Sequence, residues 1–498
     1  MSIAAVSIAK PEFIYDRDLE WAALTRFVTA DGAGARLGLV YGRRRQGKTL
    51  LLDALSQAYD GFMWQARQQS APQNLRHLAE AIGRFSGIVP RLDNWDDAIE
   101  ALLGLRRPTV SDDRVLPVVI DEVGYVIDGD PGFASRLQAA LAPASRRGRS
   151  VSIRIVLCGS AFGQMRSLAD AGSALRGRSQ LDLILRPFRF REAAGFWELD
   201  ANPDVAFRLH ALIGGTPAYR EFVAGVGPRR GDLDSWAAQY LLSPSSPLFR
   251  EGRVVVAEDP ALPDRGLYWS VLGAIADGAT GRGEITGALG RPATSLHHAL
   301  ATLVDAGWVR TEHDPLRRRG TRFLIDEPIV RFHRLVIEPA EARLSLRAAG
   351  AAVWDDALPL IRSRIYGPHL ERLAREWLLA DADEAVAGGR ITACGPSSVG
   401  TGADRLALDL LAVETTARGA IDVCAIGEVK AEHDRMGLDQ LARLDRAAAE
   451  LPARKTDAAV KRILFSRSGF TRDLQLRARR RAEVELVDLH RLYSAAAS

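Results

Sequence analysis

The sequence predicts an α/β protein in which a parallel sheet covered by helices comes first, a helical region follows, and a second, smaller α/β region ends the chain. Three observations predict it. Strand-length apolar runs alternate with helical patterns from residue 1 to about 195, an order typical of a parallel sheet with helices on both faces. The pattern becomes helical to about 335, and strand-like runs return after about 350. Since 498 residues exceed what one hydrophobic core supports, we expect about three or four domains.

The first chemical signal is a glycine-rich loop between a strand and a helix. Residues 42–49 read GRRRQGKT and fit the pattern G-x-x-x-x-G-K-[ST] of a phosphate-binding loop. The apolar run 37–41 before the loop predicts a buried strand, and residues 50–55 after it predict a helix. An ordinary glycine-bearing turn is the alternative, but the strand and the helix on either side favour a nucleotide site.

The residue types of this loop suit a nucleoside triphosphate. Gly42 and Gly47 let the backbone curl so that N–H groups point at phosphate oxygens, beside the positive end of the following helix. Lys48 would reach the β- and γ-phosphates, and the Thr49 hydroxyl is placed to hold Mg²⁺. The predicted ATP-binding residues of the loop are Gly42, Arg43, Arg44, Arg45, Gln46, Gly47, Lys48 and Thr49.

A second signal is a pair of carboxylates that follows a buried strand. Residues 116–120 form a continuous apolar run that ends in Asp121 and Glu122. Unpaired charges at the edge of a core are costly, so a purely structural role explains the pair poorly. We expect Asp121 to hold the Mg²⁺ that accompanies ATP and Glu122 to be the catalytic residue that polarises the attacking water.

A third buried strand is predicted at residues 151–158, and it ends at Gly159 and Ser160. The carboxyl ends of parallel strands meet at one edge of a sheet, where the ligands of such sheets bind. Ser160 is therefore expected beside Asp121, as a nucleotide-binding residue that orients the water or the γ-phosphate.

The middle of the chain predicts a helical lid, then three helices and a hairpin. The lid is expected at residues 196–260, where a Gly-Gly-Thr-Pro break interrupts a helical pattern. Three helices followed by a hairpin are the pattern of a winged helix. The predicted segments are helices at 268–276, 284–289 and 294–306 and a hairpin of 308–310 with 321–325.

Two interpretations of this winged-helix pattern stay open. The third helix offers Ser295, His297 and His298 but no Arg or Lys, whereas the hairpin tip carries Arg317, Arg318 and Arg319. One interpretation is DNA binding, with the third helix in the major groove and the hairpin on the backbone. The other is a module that packs against protein, with a solvated charged tip.

Acidic residues and a lysine mark the C-terminal region. Strands are predicted at residues 406–411, with Asp409 inside the run, and at 421–429. Strand alternation puts Glu428 and Lys430 on one face. Two carboxylates and a carbonyl suit Mg²⁺ or Mn²⁺, and a nearby lysine can stabilise a hydroxide or a pentavalent phosphate. Asp409, Glu428 and Lys430 are therefore candidate catalytic residues of a nuclease, with the two acids as metal ligands.

The same acids have a structural alternative. A surface hairpin whose acidic and basic residues pair across strands would carry the same pattern, and spacing alone does not choose between the two. Upstream, Glu371 is a candidate further acid on a predicted helix.

Composition argues against several classes of protein. The three cysteines, Cys158, Cys394 and Cys424, are far apart, which makes a disulfide framework or a zinc site a poor explanation. There is no uncharged apolar stretch of about eighteen residues and no signal-peptide pattern, so we expect a cytoplasmic protein without membrane contact. The net charge of +4 is weak for a nucleic-acid binder, but the last 38 residues hold nine Lys and Arg against four Asp and Glu.

Five stretches carry a resemblance to a known family: VYGRRRQGKTLL, LCGSAFGQM, GRSQLDLILRPF, IGGTPAYR and FSRSGFT. Over nearly its whole length the chain resembles a bacterial and archaeal AAA+/STAND-like P-loop ATPase family that ends in a PD-(D/E)xK nuclease-like domain. The resemblance implies that Arg178 contacts the γ-phosphate, in its own chain or from a neighbouring copy. Leu408 departs from the nuclease motif, which has Pro before the first acid. The implied domains are a P-loop AAA+-like ATPase domain at 1–195, a helical lid at 196–260, a winged-helix domain at 261–345 and a restriction-endonuclease-like α/β domain at 346–498.

These features give one main hypothesis and two alternatives. The main hypothesis is an ATP-binding and ATP-hydrolysing switch, with Mg²⁺, that couples nucleotide state to a DNA-associated nuclease-like domain. One alternative is a nucleotide-gated scaffold with a vestigial nuclease fold, and the other is a winged-helix transcriptional regulator. ATP and DNA are the expected partners, and an oligomer is consistent with a shared arginine.

Overall fold

The computed structural model divides the chain into two compact units, Met1–Pro187 with Asp259–Pro263 and Phe188–Glu258 with Asp264–Ser498. The finer division at residues 195, 260 and 345 stays a prediction. The residues that the structure describes are 8–30, 34–106, 115–142, 152–169, 175, 177–229, 231–317, 320–346, 349–400, 402, 405–415, 419–451 and 459–494.

The first unit is built on a five-stranded parallel sheet in the order β2-β3-β4-β1-β5. The predicted α/β class with a parallel sheet is confirmed for this unit. Its strands are β1 Arg36–Tyr41, β2 Phe62–Gln65, β3 Leu116–Asp121, β4 Ile153–Gly159 and β5 Ser179–Ile184. Its described helices are α1 Asp18–Thr29, α2 Lys48–Ala58, α3 Ala71–Ser86, α4 Trp95–Leu103, α5 Gly124–Gly129, α6 Phe133–Ala140 and α7 Phe162–Ala169.

Both faces of this sheet are covered, which explains why its strands read as continuous apolar runs. Successive side chains of a strand point to opposite faces, so Leu39 packs in one hydrophobic cluster and Val40 in another. The three predicted strands are confirmed. The third begins at Ile153, and the first residue predicted for it, Val151, lies outside the described residues.

The second unit joins helices, a short hairpin and a second sheet. Its described helices are α8 Phe190–Phe196, α9 Pro203–Ile213, α10 Ala218–Phe222, α11 Leu233–Tyr240, α12 Pro247–Ala257, α13 Arg265–Ala276, α14 Arg282–Leu289, α15 Ala293–Asp305, α16 Pro328–Phe332, α17 Glu338–Leu346, α18 Gly350–Ile361, α19 Gly367–Ala380, α20 Glu384–Ala387, α21 Leu438–Ala449, α22 Arg472–Ala478 and α23 Leu489–Tyr493. Single π-helical turns, His333–Ile337 and Arg362–Tyr366, join α16 to α17 and α18 to α19.

The predicted three helices and hairpin are present. Helices α13, α14 and α15 precede strands β6 (Val309–Glu312) and β7 (Arg322–Ile325), which pair antiparallel with Val309 opposite Ile325. The Asp264 carboxylate caps α13 by accepting a hydrogen bond from the N–H of Leu267 at 3.0 Å. The winged-helix assignment itself stays a prediction.

The second sheet has the order β12-β11-β10-β9-β8. Strands β8, β9 and β10 are antiparallel to one another, and β10, β11 and β12 run parallel. Leu411, Ile426 and Leu464 lie in its hydrophobic core. Its strands are β8 Ala393–Val399, β9 Leu406–Thr415, β10 Ile421–Lys430, β11 Lys461–Ser466 and β12 Val484–Asp488.

Within the part of the chain that the structure describes, no helix has both the length and the apolar character needed to cross a bilayer.

Candidate functional site

The phosphate loop is a tight turn from the end of β1 into the first turn of α2. Gly42 has φ 156° and Gly47, the residue before α2, has φ 83°. Arg45 also lies in the left-handed region, with φ 72°, a conformation that costs a non-glycine residue free energy and is concentrated at functional sites. The main chain of the loop is therefore held in a curl that extended or helical backbone does not supply.

The two loop glycines are needed for different reasons, and this difference gives a prediction. A Cβ at Gly42 would lie 2.2 Å from the carbonyl oxygen of Leu185, whereas a Cβ at Gly47 would meet nothing within 4 Å. We expect Gly42→Ala to destabilise the protein by roughly 3 kcal/mol. Gly47→Ala should cost only about 1–2 kcal/mol, because alanine must adopt the left-handed backbone conformation of Gly47. Thermal unfolding midpoints of the two variants test this, and equal losses of stability would contradict the close approach at Gly42.

Lys48 is buried at the mouth of the curl, with 6% of its surface exposed. Its Nζ donates to the carbonyl oxygens of Gly42 at 2.8 Å and Arg43 at 2.9 Å. Burial lowers the pKa of the Lys48 ammonium, and the nearby carboxylates Asp121 and Glu122 partly oppose that shift. The ammonium is thus held by neutral carbonyls, which phosphate oxygens can replace as stronger acceptors.

Thr49 and Asp121 meet where β3 ends beside α2. The Thr49 hydroxyl donates to Asp121 Oδ2 at 2.8 Å, and Asp121 Oδ1 accepts from the N–H of Glu122 at 2.9 Å. Asp121 is fully buried. A hydroxyl and a carboxylate are hard oxygen donors of the kind Mg²⁺ prefers, so these two residues fit the predicted role of holding the ion.

Glu122 is paired with Ser160, which follows β4 on the neighbouring strand. The Ser160 hydroxyl donates to Glu122 Oε2 at 2.9 Å. The backbone of Glu122 is in the left-handed region, with φ 50°. Glu122 therefore does not continue the extended conformation of β3, which ends at Asp121. The sequence predicts Ser160 at this edge, and the structure has it bound to the second acid instead of the first.

Two further residues of this site were missed by sequence reasoning. Tyr125 Oη accepts a hydrogen bond from Arg44 Nη2 at 3.1 Å, which ties the loop to the helix after Glu122. Cys158, near the end of β4, interacts with Asp121, and burial together with that carboxylate raises the pKa of its thiol well above the ordinary value. Tyr125 follows Glu122 by three residues, and this short spacing is the only sequence signal that could have found it.

Arg178 does not lie at the phosphate loop of its own chain. It precedes β5, which runs parallel to β1 with Ser179 opposite Leu37 and Ile184 opposite Tyr41. Arg178 is therefore at the amino edge of the sheet, while the loop follows the carboxyl edge about 17 Å away, the span of five strand residues. The implied contact within one chain is wrong for this reason. A contact from a neighbouring copy stays a prediction.

In the second unit, Asp409 and Glu428 lie side by side on β9 and β10. Asp409 Oδ2 accepts from the N–H of Val429 at 2.9 Å. Glu428 is 5% exposed, and its Oε2 is buried and has no hydrogen-bond partner among the described residues. Burial raises the pKa of both carboxyls, while the charges of Arg443 and Lys430 oppose the shift. An orphaned buried carboxylate oxygen is costly unless a cation or donor reaches it.

Arg443 and Arg375 contact this pair, and the sequence did not point to either. Arg443 donates to Glu428 Oε1 at 2.7 Å and to the carbonyl oxygen of Ala407 at 2.6 Å. Arg375, on α19, donates to the carbonyl oxygen of Asp409 at 2.8 Å. Arg375 is 34 residues from Asp409 and Arg443 is 15 residues from Glu428, each on a separate helix, so the fold brings them to the acids. Arg443 supplies positive charge at the place where a metal ion would act.

Glu371, the further candidate acid, also lies near this pair. Burial raises the pKa of Glu371, the charge of Asp409 adds to the rise, and Arg375, which is 3.5 Å away, opposes it. Across the described residues, no group of three or more His, Cys, Asp or Glu side chains is placed to hold a metal ion. Lys430 is half-buried on the same strand face as Glu428, as alternation predicts.

The hairpin after α15 packs against edge strand β8. Asp314 Oδ1 accepts from the Ser397 hydroxyl at 2.8 Å, and Arg317 Nη2 donates to the carbonyl oxygen of Ser398 at 3.3 Å. A Cβ at Gly395 would lie 2.2 Å from a hairpin carbonyl. These contacts favour the interpretation of a packing module over a free DNA-binding wing.

The other predicted DNA contacts of this region are less informative. His297 and His298 are exposed on α15. Arg318, Arg319 and the side chain of Ser295 lie outside the described residues.

Comparison with known proteins gives similarity to solved structures at low sequence identity. No protein-family model matches the sequence, and no curated protein matches it. A Walker-type ATPase of Pyrococcus abyssi aligns with TM-score 0.48 and 20% identity over 66% of this chain and 99% of that one. The Aeropyrum pernix ORC2 protein, solved as ADPNP–ADP complexes, aligns with TM-score 0.42 and 17% identity over 68% and 97%. The Aeropyrum pernix ORC1 protein in complex with DNA aligns with TM-score 0.33 and 17% identity over 67% and 95%. Every one of these TM-scores is below 0.5, so the similarities do not indicate a function for this chain.

Proposed function

We propose that the chain is an ATP-binding, ATP-hydrolysing switch whose nucleotide state is coupled to a DNA-associated, nuclease-like C-terminal region. One observation carries the nucleotide part of the proposal. Lys48, Thr49, Asp121, Glu122 and Ser160 come from three separate segments and converge at the carboxyl edge of one parallel sheet, through the hydrogen bonds Thr49–Asp121 and Ser160–Glu122.

The chemistry follows from what each residue can do. Backbone N–H groups of the loop and the amino end of α2 bind phosphate oxygens, and Lys48 exchanges its carbonyl acceptors for them. Thr49 and Asp121 would hold Mg²⁺, which supplies charge neutralisation of the phosphates when it is bound. Glu122, oriented by Ser160, accepts a proton from the attacking water.

The nuclease-like part of the proposal is supported by the chemistry of the C-terminal acids. Asp409 and Glu428 would hold a divalent ion, and Lys430 would neutralise charge on a phosphate group. The buried, unpartnered Oε2 of Glu428 fits such an ion. Since both carboxyls have a raised pKa, ion binding should strengthen as pH rises and both acids ionise.

One observation favours a second candidate function, a nucleotide-gated scaffold with a vestigial nuclease fold. Arg443 already donates to Glu428 Oε1 at 2.7 Å, so an arginine supplies the compensating charge that an active site would take from a metal ion. A winged-helix regulator has less support, because Arg317 is bound to Ser398 and lies 3.5 Å from Asp314.

The test combines calorimetry with ATP and Mg²⁺, phosphate release, and plasmid nicking with Mg²⁺ or Mn²⁺. We expect the wild type to give binding heat, phosphate release and nicking. Asp409→Ala should reduce nicking to background because it removes a metal ligand, and phosphate release should persist. The matched control is Asp439→Ala, which removes an exposed acid on α21 and should change none of the three.

Each outcome separates the candidates. Absence of heat with ATP and Mg²⁺ overturns the nucleotide part. Phosphate release without nicking in the wild type supports the scaffold and removes the nuclease part. Nicking that survives Asp409→Ala unchanged shows that the cleavage does not come from this site.

A further inference from the structure

Helix α22 and the turn after it present a row of arginines to solvent. Arg472, Arg477, Arg479 and Arg480 are all exposed. The helical course continues beyond Ala478, because the N–H groups of Arg479 and Arg480 donate to carbonyl oxygens of Gln475 and Arg477 at 3.2 Å each. The four arginines therefore lie on one continuous helical segment, and we call the surface formed by their exposed side chains the arginine face.

The helix geometry explains why these side chains point outward together. Leu474 is fully buried and fixes the inner side of α22. Residues spaced by four lie on one side of a helix, so Arg472, Leu476 and Arg480 share the side away from Leu474. Leu476 is 46% exposed and lies between the arginines. Arg477 lies four residues after the exposed acid Asp473, so this surface carries one carboxylate and one apolar side chain, Leu476, among the four arginines.

The arginines of this face differ from their neighbours in having no acidic partner. Arg481, the next residue in the chain, forms two hydrogen bonds of 2.7 Å to Asp445, and Arg491 pairs with Glu485 at 3.0 Å. For the arginine face no ion pair with a described residue is formed, and Asp473 is the one acid on the surface of α22. The local excess of positive charge is therefore not neutralised within the described fold.

The place of α22 in the fold points to an elongated polyanion. The N–H of Thr471, just before the helix, donates to the carbonyl oxygen of Met436 at 2.9 Å, and the N–H of Arg467 donates to that of Lys430 at 3.0 Å. The helix therefore starts at the sheet edge where Lys430 ends β10. Arg472 and Arg479 are seven residues apart, about 10 Å along the axis, a length that several successive phosphates of a nucleic-acid strand cover.

We propose that the arginine face, Arg472, Arg477, Arg479 and Arg480, binds the phosphate backbone of nucleic acid. The inference rests on the proposed function only for the kind of partner, and it does not depend on the nucleotide site. Contacts of this kind are independent of base sequence and release counterions, so their affinity falls with salt. The face would fix where a strand lies on the C-terminal sheet.

The test measures binding of a labelled duplex of about 30 base pairs by fluorescence anisotropy over a series of salt concentrations. The variant Arg477→Ala/Arg480→Ala removes two guanidinium groups. We expect it to weaken binding about 10- to 100-fold at low salt and to reduce the slope of log K against log salt by about 2, since each arginine neutralises one phosphate. The unfolding midpoint should stay that of the wild type, because both side chains are exposed.

The matched control is Arg250→Ala/Arg253→Ala, which removes two exposed arginines from α12 in the same unit and should leave affinity and slope unchanged. Equal weakening in both variants would mean unspecific charge attraction and overturn the proposal, as would a wild type that does not bind the duplex. If binding to vesicles of phosphatidylserine and phosphatidylcholine depends on the face while duplex binding does not, the partner is a membrane surface instead.

ATP binding measured on the same samples separates this inference from the proposed function. If the wild type binds the duplex through this face but gives no heat with ATP, the proposed ATP-dependent switch is wrong. The proposal that the arginine face binds nucleic acid is then still supported.

Discussion

Lys48→Ala is expected to weaken ATP binding at least about 100-fold, because it removes two or more charge-assisted hydrogen bonds to phosphate, worth about 3 kcal/mol together. The Lys48 Nζ is already at the loop, where it donates to the carbonyl oxygens of Gly42 and Arg43 at 2.8 and 2.9 Å. The alanine side chain has no positive charge and is too short to contact the phosphates. Calorimetry with ATP and Mg²⁺ measures the weakening, and phosphate release should fall with it.

The matched control for this variant is Lys430→Ala. It removes the same charge from a half-buried position of the second unit and should leave ATP affinity within a factor of about two, since the phosphate loop with its own lysine is unchanged. Thermal unfolding in the absence of nucleotide shows whether either variant is misfolded. If folded Lys48→Ala binds ATP with wild-type affinity, the loop at residues 42–49 is not the phosphate-binding site.

Glu122→Gln is expected to separate nucleotide binding from hydrolysis. The amide keeps the size of the side chain and can still accept the hydrogen bond that Ser160 donates at 2.9 Å, but it cannot take a proton from water. Loss of a general base lowers the rate of the chemical step by about 10²- to 10⁴-fold. We expect phosphate release to fall by that factor while the calorimetric affinity for ATP stays near that of the wild type.

A carboxyl-to-amide change elsewhere on the same segment controls for that result. Asp128→Asn alters an exposed acid on α5 that accepts from Gln164 Nε2 at 2.9 Å, and its phosphate release should match the wild type. If Glu122→Gln hydrolyses ATP at the wild-type rate, the base lies elsewhere. If it also loses ATP binding, Glu122 contributes to the phosphate site directly.

Much of the nucleotide site could be predicted because its signals are local. The loop residues are contiguous, and the strands before Asp121 and Ser160 are apolar runs whose ends must meet once the sheet is parallel. The detail that Ser160 binds Glu122 was not predictable, since it depends on the left-handed turn of the Glu122 backbone. Arg178 was placed by resemblance, and the parallel register of β5 with β1 puts it at the other edge of the sheet.

For the C-terminal acids too, the sequence predicted which residues lie together but not which partners they contact. Alternation along two neighbouring strands predicted that Asp409, Glu428 and Lys430 would be close together. It could not predict that Arg443 donates to Glu428, that Arg375 donates to the Asp409 carbonyl, or that the hairpin loop packs on β8. Whether the acids bind a metal ion depends on those partners.

The sequence by itself determined the parallel sheet of the first unit, the phosphate loop, the strand-end carboxylates and the strands that carry the C-terminal acids. These features follow from periodicity and from short motifs, in which the interacting residues are a few positions apart. Only the tertiary structure decided which charges neutralise the C-terminal acids, which arginines are left facing solvent on α22, and which edge of the sheet Arg178 occupies. Those outcomes depend on contacts between segments far apart in the chain, and strand register and helix packing set such contacts without leaving a local pattern.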